Sequence, residues 1–542
     1  MLRRLLPIVL LLASCAPTPQ TPVALEATHV APAVATFAFA QSVEPRTLDP
    51  GIITDTHSGF LARNMFEGLL AWDPAAEEPV AAAAESWTVS PDGLTWTFHL
   101  RPDALWSNGD PVTANDFVLA WRRVLDPDGG SDYAPLLYPI LGAEALHRGD
   151  AVDAEGLGVG SLDRHTLVVR LARPTPWFGA IVAHNVAAPV NGEVLKRHGG
   201  DWTRPSKIVV NGPFVLTEWT PEGLVLTRNP RYHSAADVKI GRVIAHIVPD
   251  PNKVLQMYED GDLQWTGHSS AMLPLDRMAE LAARPDAHQH ARLGTAWYSL
   301  NTQDEALSNP LVRQALLLAL DRQELAARLG PSVAVATGFV PPGIPGYQPP
   351  PPQAPDPLRA RKLLLQAGYS TAEPFPRLEI AVDNRAMHRA AAAWMAATWK
   401  EQLGIEAGVY ERDWPAHSEA VSDGAYQVGR GGWVADFPDP ATFLELMHSD
   451  NPLNSPGWSE PTYDALVDEA AATTDPASRM RLLSQAERLL LDRAPLLPLF
   501  HFTSFSLLKP YVGGFEDNAL NIHLLKYLSL GTTGGPGISR GD

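Results

Sequence analysis

The sequence predicts a large mixed α/β protein built as two big lobes or as three to four domains. Three observations lead there. The chain has 542 residues, set against roughly 150 per domain. Alternating apolar runs and runs of helical period are interspersed along its length. Neither a regular βαβ unit nor a repeat of roughly 20–50 residues recurs.

The elements follow in chain order. In residues 95–100 (TWTFHL), Trp96, Phe98 and Leu100 share one face and polar residues the other. Thr113 with Asp116 makes a near capping box ahead of a helix carrying Phe117, Ala120, Trp121 and Val124. Leu167, Val169 and Leu171 alternate as a strand does. Residues 214–219 and 224–228 flank Thr220-Pro221-Glu222-Gly223, a hairpin with turn chemistry between its strands. Residues 312–329 and 389–403 have helical period. Residues 341–357 hold nine prolines; helix follows at once without a change of composition, so they read as a stiff surface loop within one lobe rather than an interdomain linker. Asp356-Pro357 and Gly368 bracket a helix over 358–367. Asp439-Pro440 opens another over 441–447. Asp475-Pro476 opens a third, with Met480, Leu483, Ala486 and Leu490 on one face. Gly93, Gly109 and Gly212 read as turn glycines.

Composition excludes several classes. With 42 basic against 61 acidic residues the formal charge is −19, the wrong sign for a phosphate-neutralising surface, so nucleic acid is not expected as a partner. The single cysteine rules out an intramolecular disulfide and a Cys-rich zinc site. There is no GxSxG, HExxH, GxxxxGK[ST] or CxxC motif. Gly156-Leu157-Gly158-Val159-Gly160 lacks dinucleotide-site spacing and reads as a turn. None of the 17 histidines sits at i, i+4 beside an acid on a helix. No cofactor or metal is expected; a hydrolase with a scattered Ser-His-Asp set remains a remote alternative.

Residues 1–14 carry Arg3 and Arg4 followed by an apolar run from Leu5 to Ala13, too short for the ~20 residues of a membrane span. They read as a secretory signal. Leu12-Ala13-Ser14-Cys15 resembles the lipobox of bacterial lipoproteins, which implies lipidation of Cys15. Residues 15–35, proline-rich and aperiodic, read as a lipidated tether.

Several ordered segments together resemble a known family. They are Glu44 to Pro50 (EPRTLDP), Phe66-Glu67-Gly68-Leu69-Leu70, and a long block from Glu85 through Trp106-Ser107-Asn108-Gly109 to Trp121-Arg122-Arg123-Val124. Asn211-Gly212-Pro213-Phe214, Arg228-Asn229-Pro230-Arg231-Tyr232 and Asn309 to Leu316 follow. By these the chain, over about residues 36–525, is similar to the extracytoplasmic solute-binding proteins of peptide ABC transporters (the oligopeptide-binding family, family 5). The resemblance implies a two-lobed periplasmic-binding-protein-like fold of type II, in the large cluster C form. That form has an extra subdomain in lobe I and a hinged ligand cleft. It places lobe I at 36–60, 185–295 and 500–530, its subdomain at 61–184, and lobe II at 296–499.

One segment carries candidate ligand chemistry. With Asp439 assigned to a helix start, Asp436 has no capping role and stands among Trp433, Val434, Ala435, Phe437 and Pro438. A carboxylate in apolar company is costly unless paired. A bound ammonium would pair it, and so would an internal Arg or Lys. The family holds the peptide amino group with the aspartate of a W-x-A-D segment, and Trp433-Val434-Ala435-Asp436 matches it. The resemblance puts Arg430 and His388 where peptide carboxylates are met, and Arg suits a carboxylate because its planar fork binds it in bidentate fashion. It makes Trp414, Trp433 and Tyr133 tunnel-lining aromatics. Main-chain groups of Gly432, Val434 and the Pro45–Thr47 loop would pair with the peptide backbone. The window between Trp414 and Arg430 departs from the family, with Val421 and Asp423 where a second arginine is sought.

The expected function is capture of short peptides by backbone and termini and their delivery to the transmembrane subunits of an ABC permease. The expected protein is a monomeric, non-enzymatic, membrane-anchored lipoprotein of the periplasm or cell-envelope surface. A metal chelate, an oligosaccharide, haem or a murein peptide are the alternatives on the same fold.

Overall fold

The computed structural model describes residues 34–150, 156–268 and 272–531. The signal segment, Cys15 and the tether up to residue 33 lie outside them. Among the described residues, no helix is long and apolar enough to cross a membrane.

Three main sheets organise the chain. The first runs Thr36–Gln41, Arg242–Ile247, Gly223–Arg228, Phe214–Thr220. Its first pair is parallel and the rest antiparallel; the last two strands are the expected hairpin. The second is fully antiparallel, in the order Ala84–Val89, Thr95–Leu100, Thr166–Arg170, Val159–Asp163. Trp96, Phe98 and Leu100 are buried together as the alternation requires. The third has six strands, ordered Val333–Val335, Leu496–Leu507, Ala287–Leu300, Val428–Val434, Leu378–Asp383, Ala407–Arg412.

Two long neighbours in the third sheet are shared between separate hydrophobic cores. The ends carrying Ala287, Phe505 and Leu507 pack with Ala38, Ala40 and Leu263. The opposite ends, with Leu300, Leu497 and Phe500, pack with Leu316, Ile380 and Trp399. A register shift between Ala291 and Thr295 separates the two halves, and such irregularities bend a strand pair. The architecture is the expected two-lobed α/β type.

The caps fall where the sequence puts them. Asp356 accepts from the Arg359 N–H and Asp475 from the Ser478 N–H, at the starts of Pro357–Gln366 and Pro476–Arg493. The Thr113–Asp116 capping box is complete. The 312–329 span differs from expectation: it is two helices, Pro310–Leu318 and Arg322–Leu329, because the Asp321 side chain accepts from the Gln323 and Glu324 N–H groups and starts a new one. Ala319 and Leu320 between them stay buried, so the apolar period passes unbroken through the break. Gly93 and Gly109 have positive φ, as turn glycines do. Gly212 is required for a different reason: a Cβ there would lie 2.5 Å from the Met65 carbonyl oxygen.

Residues 341–356 form no helix or strand, yet they are packed. Ile344 and Tyr347 are buried. The Glu487 carboxylate accepts the Phe339 and Val340 N–H groups and the Tyr347 hydroxyl.

Candidate functional site

A cavity of about 2180 Å³ opens against the Val428–Val434 strand and its following loop. Three of the expected aromatics, Tyr133, Trp414 and Trp433, line it. Trp414 is 44% exposed and therefore not ordinary core. Tyr133 stacks on His184 at 5.4 Å between ring centroids.

The strand reaches this space through Trp433; its Gly432 and Val434, and Asp436 beyond its end, do not line it. Its glycines are set by rings lying on it: a Cβ on Gly431 would meet the Trp297 indole at 2.5 Å and one on Gly429 the Tyr426 ring at 2.7 Å. Ala435 N–H donates to the Leu293 carbonyl at 2.7 Å. Odd-numbered residues thus bond toward Ala287–Leu300, and even-numbered ones turn to the opposite edge. On that edge Leu378–Asp383 pairs only with Val428 and Gly429. The Arg430 carbonyl is met by His417 Nε2 at 2.9 Å. Beyond it, Gly432 and Val434 face an edge with no strand partner among the described residues, able to accept an extended chain.

Asp436 stands just past the end of this strand. The Tyr133 and Thr442 hydroxyls and the charge of Arg63 favour its ionised form. The Thr442 oxygen in turn accepts from Trp433 Nε1 at 3.2 Å and from the Asp436 N–H at 3.4 Å. Among the described residues no basic nitrogen comes within 4.0 Å of the carboxylate. Burial therefore dominates and pushes its pKa up to about 7, against the opposing pull of Thr442, Arg63 and Tyr133. Arg63 is in the matching state: its Nε lacks a hydrogen-bond partner, and burial draws the guanidinium down to about 10. The internal salt bridge considered for Asp436 belongs to its neighbour instead. Asp439 is gripped by Arg479 at 2.6 and 2.7 Å, while also accepting the Ala441 N–H expected of a helix start.

Arg430 and His388 come together, but on a protein carboxylate. Both are buried, and like Asp436, Gly432 and Val434 they are not among the residues lining the cavity. His388 Nδ1 lies 2.7 Å from Asp383 Oδ1, and Arg430 Nη1 lies 3.8 Å from Asp383 Oδ2. Burial, then the charge of Arg430, holds the His388 pKa at about 4 against the pull of Asp383. The ring is thus neutral at pH 7 and donates Nδ1–H to an ionised Asp383. Burial alone would raise the Asp383 carboxyl, but these two partners outweigh it and hold it well below the usual range. His388 sits in the first turn of a helix, Ala386–Leu403, that starts earlier than its periodicity indicated. That early start lets Asp383 reach it.

Sequence reasoning missed Arg63, Thr442, Asp383 and Arg385. Asp383 ends an alternating strand as a polar residue before a helix, a signal that could have been read as a cap. Arg63 had no local signal. Among the described residues no group of three or more His, Cys, Asp or Glu is arranged to hold a metal ion.

Comparison with known proteins gives the family. The family model for bacterial extracellular solute-binding proteins, family 5 (middle), matches residues 78–455. The chain is 33% identical over 507 residues to the periplasmic oligopeptide-binding protein OppA of Escherichia coli (strain K12), covering 89% of this chain and 91% of that one. It is 32% identical to the probable deoxycholate-binding periplasmic protein YgiS of the same organism, over 88% of this chain and 90% of the relative. Among solved structures, the murein tripeptide-binding protein MppA of Escherichia coli superposes with a TM-score of 0.84 at 29% identity, over 92% of this chain and 99% of that one. OppA of Haemophilus influenzae in complex with RPPGFSPFR gives 0.82 at 30% identity, over 92% and 99%. This chain belongs to the family 5 bacterial extracellular solute-binding proteins.

Proposed function

We propose that this protein is an extracytoplasmic solute-binding lipoprotein that captures short peptides and delivers them to an ABC permease, without catalysing a reaction itself. The observation that carries the reading is Asp436: a carboxylate between the cavity-lining Trp433 and Phe437, with no cation within 4.0 Å among the described residues. A peptide α-ammonium supplies that cation. Gly432 and Val434 pair with the peptide backbone as an added strand, which is blind to side-chain identity. Tyr133, Trp414 and Trp433 flank the side chains.

The lobes, divided at 36–60, 185–295 and 500–530 against 296–499, with 61–184 as a subdomain, close over the ligand by bending the two long shared strands. Cys15 carries the lipid anchor at the periplasmic or outer face of a membrane, and the protein acts as a monomer. The likeness to MppA supports a murein peptide as a narrower form of the same answer.

Native mass spectrometry of protein purified without denaturation tests the reading. A ladder of bound masses spaced by amino-acid residues is expected; a single non-peptide mass would replace peptide by another ligand of this fold. N-acetylation of a bound peptide should abolish tight binding, and equal affinity for acetylated and free peptide rejects the amino anchor.

A further inference from the structure

Arg63, on the helix Thr56–Met65, is a cation without an acid of its own. Among the described residues no carboxylate comes within 4.0 Å of it, and its buried Nε has no hydrogen-bond partner. Its charge acts on both Asp436 and His184. With Trp72, His184 and Lys526 it lines a second, small cavity of about 20 Å³. That is room for one water-sized guest, since a water needs roughly 10–15 Å³.

The walls of this cavity are rich in donors. Trp72, on the strand Leu70–Asp73, is 4% exposed, and its indole N–H has no acceptor. His184 Nδ1 accepts the Val186 N–H at 3.3 Å, which puts the proton of the neutral ring on Nε2. Lys526 Nζ donates to the Tyr232 hydroxyl at 3.1 Å and to Glu67 at 3.4 Å, leaving a third N–H. Glu67 is the single carboxylate in the lining. It is already engaged by the Tyr232 hydroxyl, by His233 Nε2 at 2.8 Å and by Lys526. Two cations and an unsatisfied indole therefore surround a space with one committed acid.

The charge count at Asp436 asks for the same thing. With a peptide ammonium bound, one carboxylate would face two cations, the ligand and Arg63. A guanidinium stays protonated, and an uncompensated buried charge is costly. A water would satisfy the indole N–H but not that charge. Sulfate and phosphate exceed the space.

We infer that the cavity lined by Arg63 and Trp72 binds a small monovalent anion such as chloride, held by Arg63 Nε–H and the Trp72 indole N–H, and that this anion favours a cationic amino terminus at Asp436. The second effect rests on the peptide reading above. Guanidinium, anion, carboxylate and ammonium then balance, and by linkage the peptide tightens the anion as the anion tightens the peptide.

The test compares the full-length protein in potassium chloride and in potassium gluconate at equal ionic strength, gluconate being too large for the cavity. Wild type should melt higher in chloride, with a saturable dependence, as for any ligand of the folded state. By calorimetry it should bind a pool of peptides with free amino termini about fivefold or more tightly in chloride, the lower end of ordinary coupling between two sites. Crystals grown without halide and soaked in bromide should show an anomalous peak between Arg63 and Trp72. Trp72→Phe, which removes the donor and keeps an aromatic ring, should cut both chloride effects, and Arg63→Met should remove them; if Arg63→Met does not fold, Trp72→Phe decides. Equal melting in the two salts with no bromine peak overturns the site, and a bromine peak with equal melting marks an adventitious ion only and overturns it too. Full chloride dependence in folded Trp72→Phe overturns the assignment to this cavity. Chloride-dependent melting with the same peptide affinity in both salts overturns the coupling and leaves the site. Failure of every peptide to bind overturns the peptide reading, while melting and diffraction still decide the anion site.

Discussion

Asp436 and Asp439, three residues apart in one loop, have opposite surroundings: Arg479 grips Asp439 through two hydrogen bonds, while no cation reaches Asp436 within 4.0 Å among the described residues. One is a finished structural ion pair. The other has no ion-pair partner among the described residues.

Substitution should separate the two roles. Asp436→Ala should weaken peptide binding by about two to three and a half decades, the equivalent of roughly 3–5 kcal/mol for one partner of a buried pair, with little loss of stability. Asp439→Ala should do the reverse, because it strands Arg479, which is nearly inaccessible to solvent. Roughly 3–5 kcal/mol of folding stability is at stake there. Chemical denaturation and calorimetry on both variants check the pattern; a stable Asp439→Ala protein would contradict it.

Binding should be coupled to proton release. The Asp436 carboxyl, raised to about 7 chiefly by burial, is half protonated at neutral pH without ligand. An ammonium partner favours its charged form. Affinity should therefore rise with pH up to about 7 and fall again as the peptide's own amine, near 7.7–8.0, loses its proton. Calorimetry at pH 6.5 in buffers of different ionisation enthalpy should show protons leaving the complex, and Asp436→Asn should abolish that buffer dependence.

Acid should unfold the protein through its buried neutral histidines. His388 and His501 are held at about 4, and His184 and His523 at about 3, each mainly by burial. Their folded pKa values lie below the unfolded value near 6.5. They are neutral in both states above that pH and contribute no pH dependence there. As pH falls from 6.5 toward 4 the unfolded chain takes up protons first, costing up to ~1.36 kcal/mol per pH unit for each group. Melting temperature should drop steeply across this window, and His501→Gln should flatten the slope. A melting temperature level from pH 6.5 to 4 would contradict this account.

The proline-rich loop should come loose when Glu487 is removed. Glu487→Ala leaves the Phe339 and Val340 amides and the Tyr347 hydroxyl without an acceptor, at roughly 1–3 kcal/mol for each buried donor. Limited proteolysis should then cut within 341–356 faster than in wild type. Tyr347→Phe should have a milder effect, since it removes one donor together with its need.

Gly212→Ala should destabilise strongly although Gly212 is not in the left-handed region. The added methyl meets the Met65 carbonyl, which is backbone and cannot swing aside; overpacking of this kind costs roughly 1–3 kcal/mol. A thermal melt compared with Gly93→Ala distinguishes crowding at Gly212 from backbone strain at a positive φ of 72°.

Local elements and family are legible in the amino-acid sequence. Alternation in 95–100, the 220–223 turn and the Asp-Pro helix starts are read within a few residues, because strand and helix periods and caps depend on near neighbours. Asp436 was legible by the same means: once Asp439 had a helix to start, an unpaired acid in apolar company was left over. The break at Asp321 was hidden, since Ala319 and Leu320 continue the apolar pattern through it. The charge partners depend on the packing of distant segments. Asp383, His388 and Arg430 come from a strand end, a helix start and a neighbouring strand, and the charge of Arg63 acts on Asp436 from a helix far away in sequence. Electrostatic pairing follows distance in space, and the fold sets that distance. The resemblance could therefore name Arg430 and His388 as basic residues of the site, while their commitment to Asp383 waited on the packing of the third sheet.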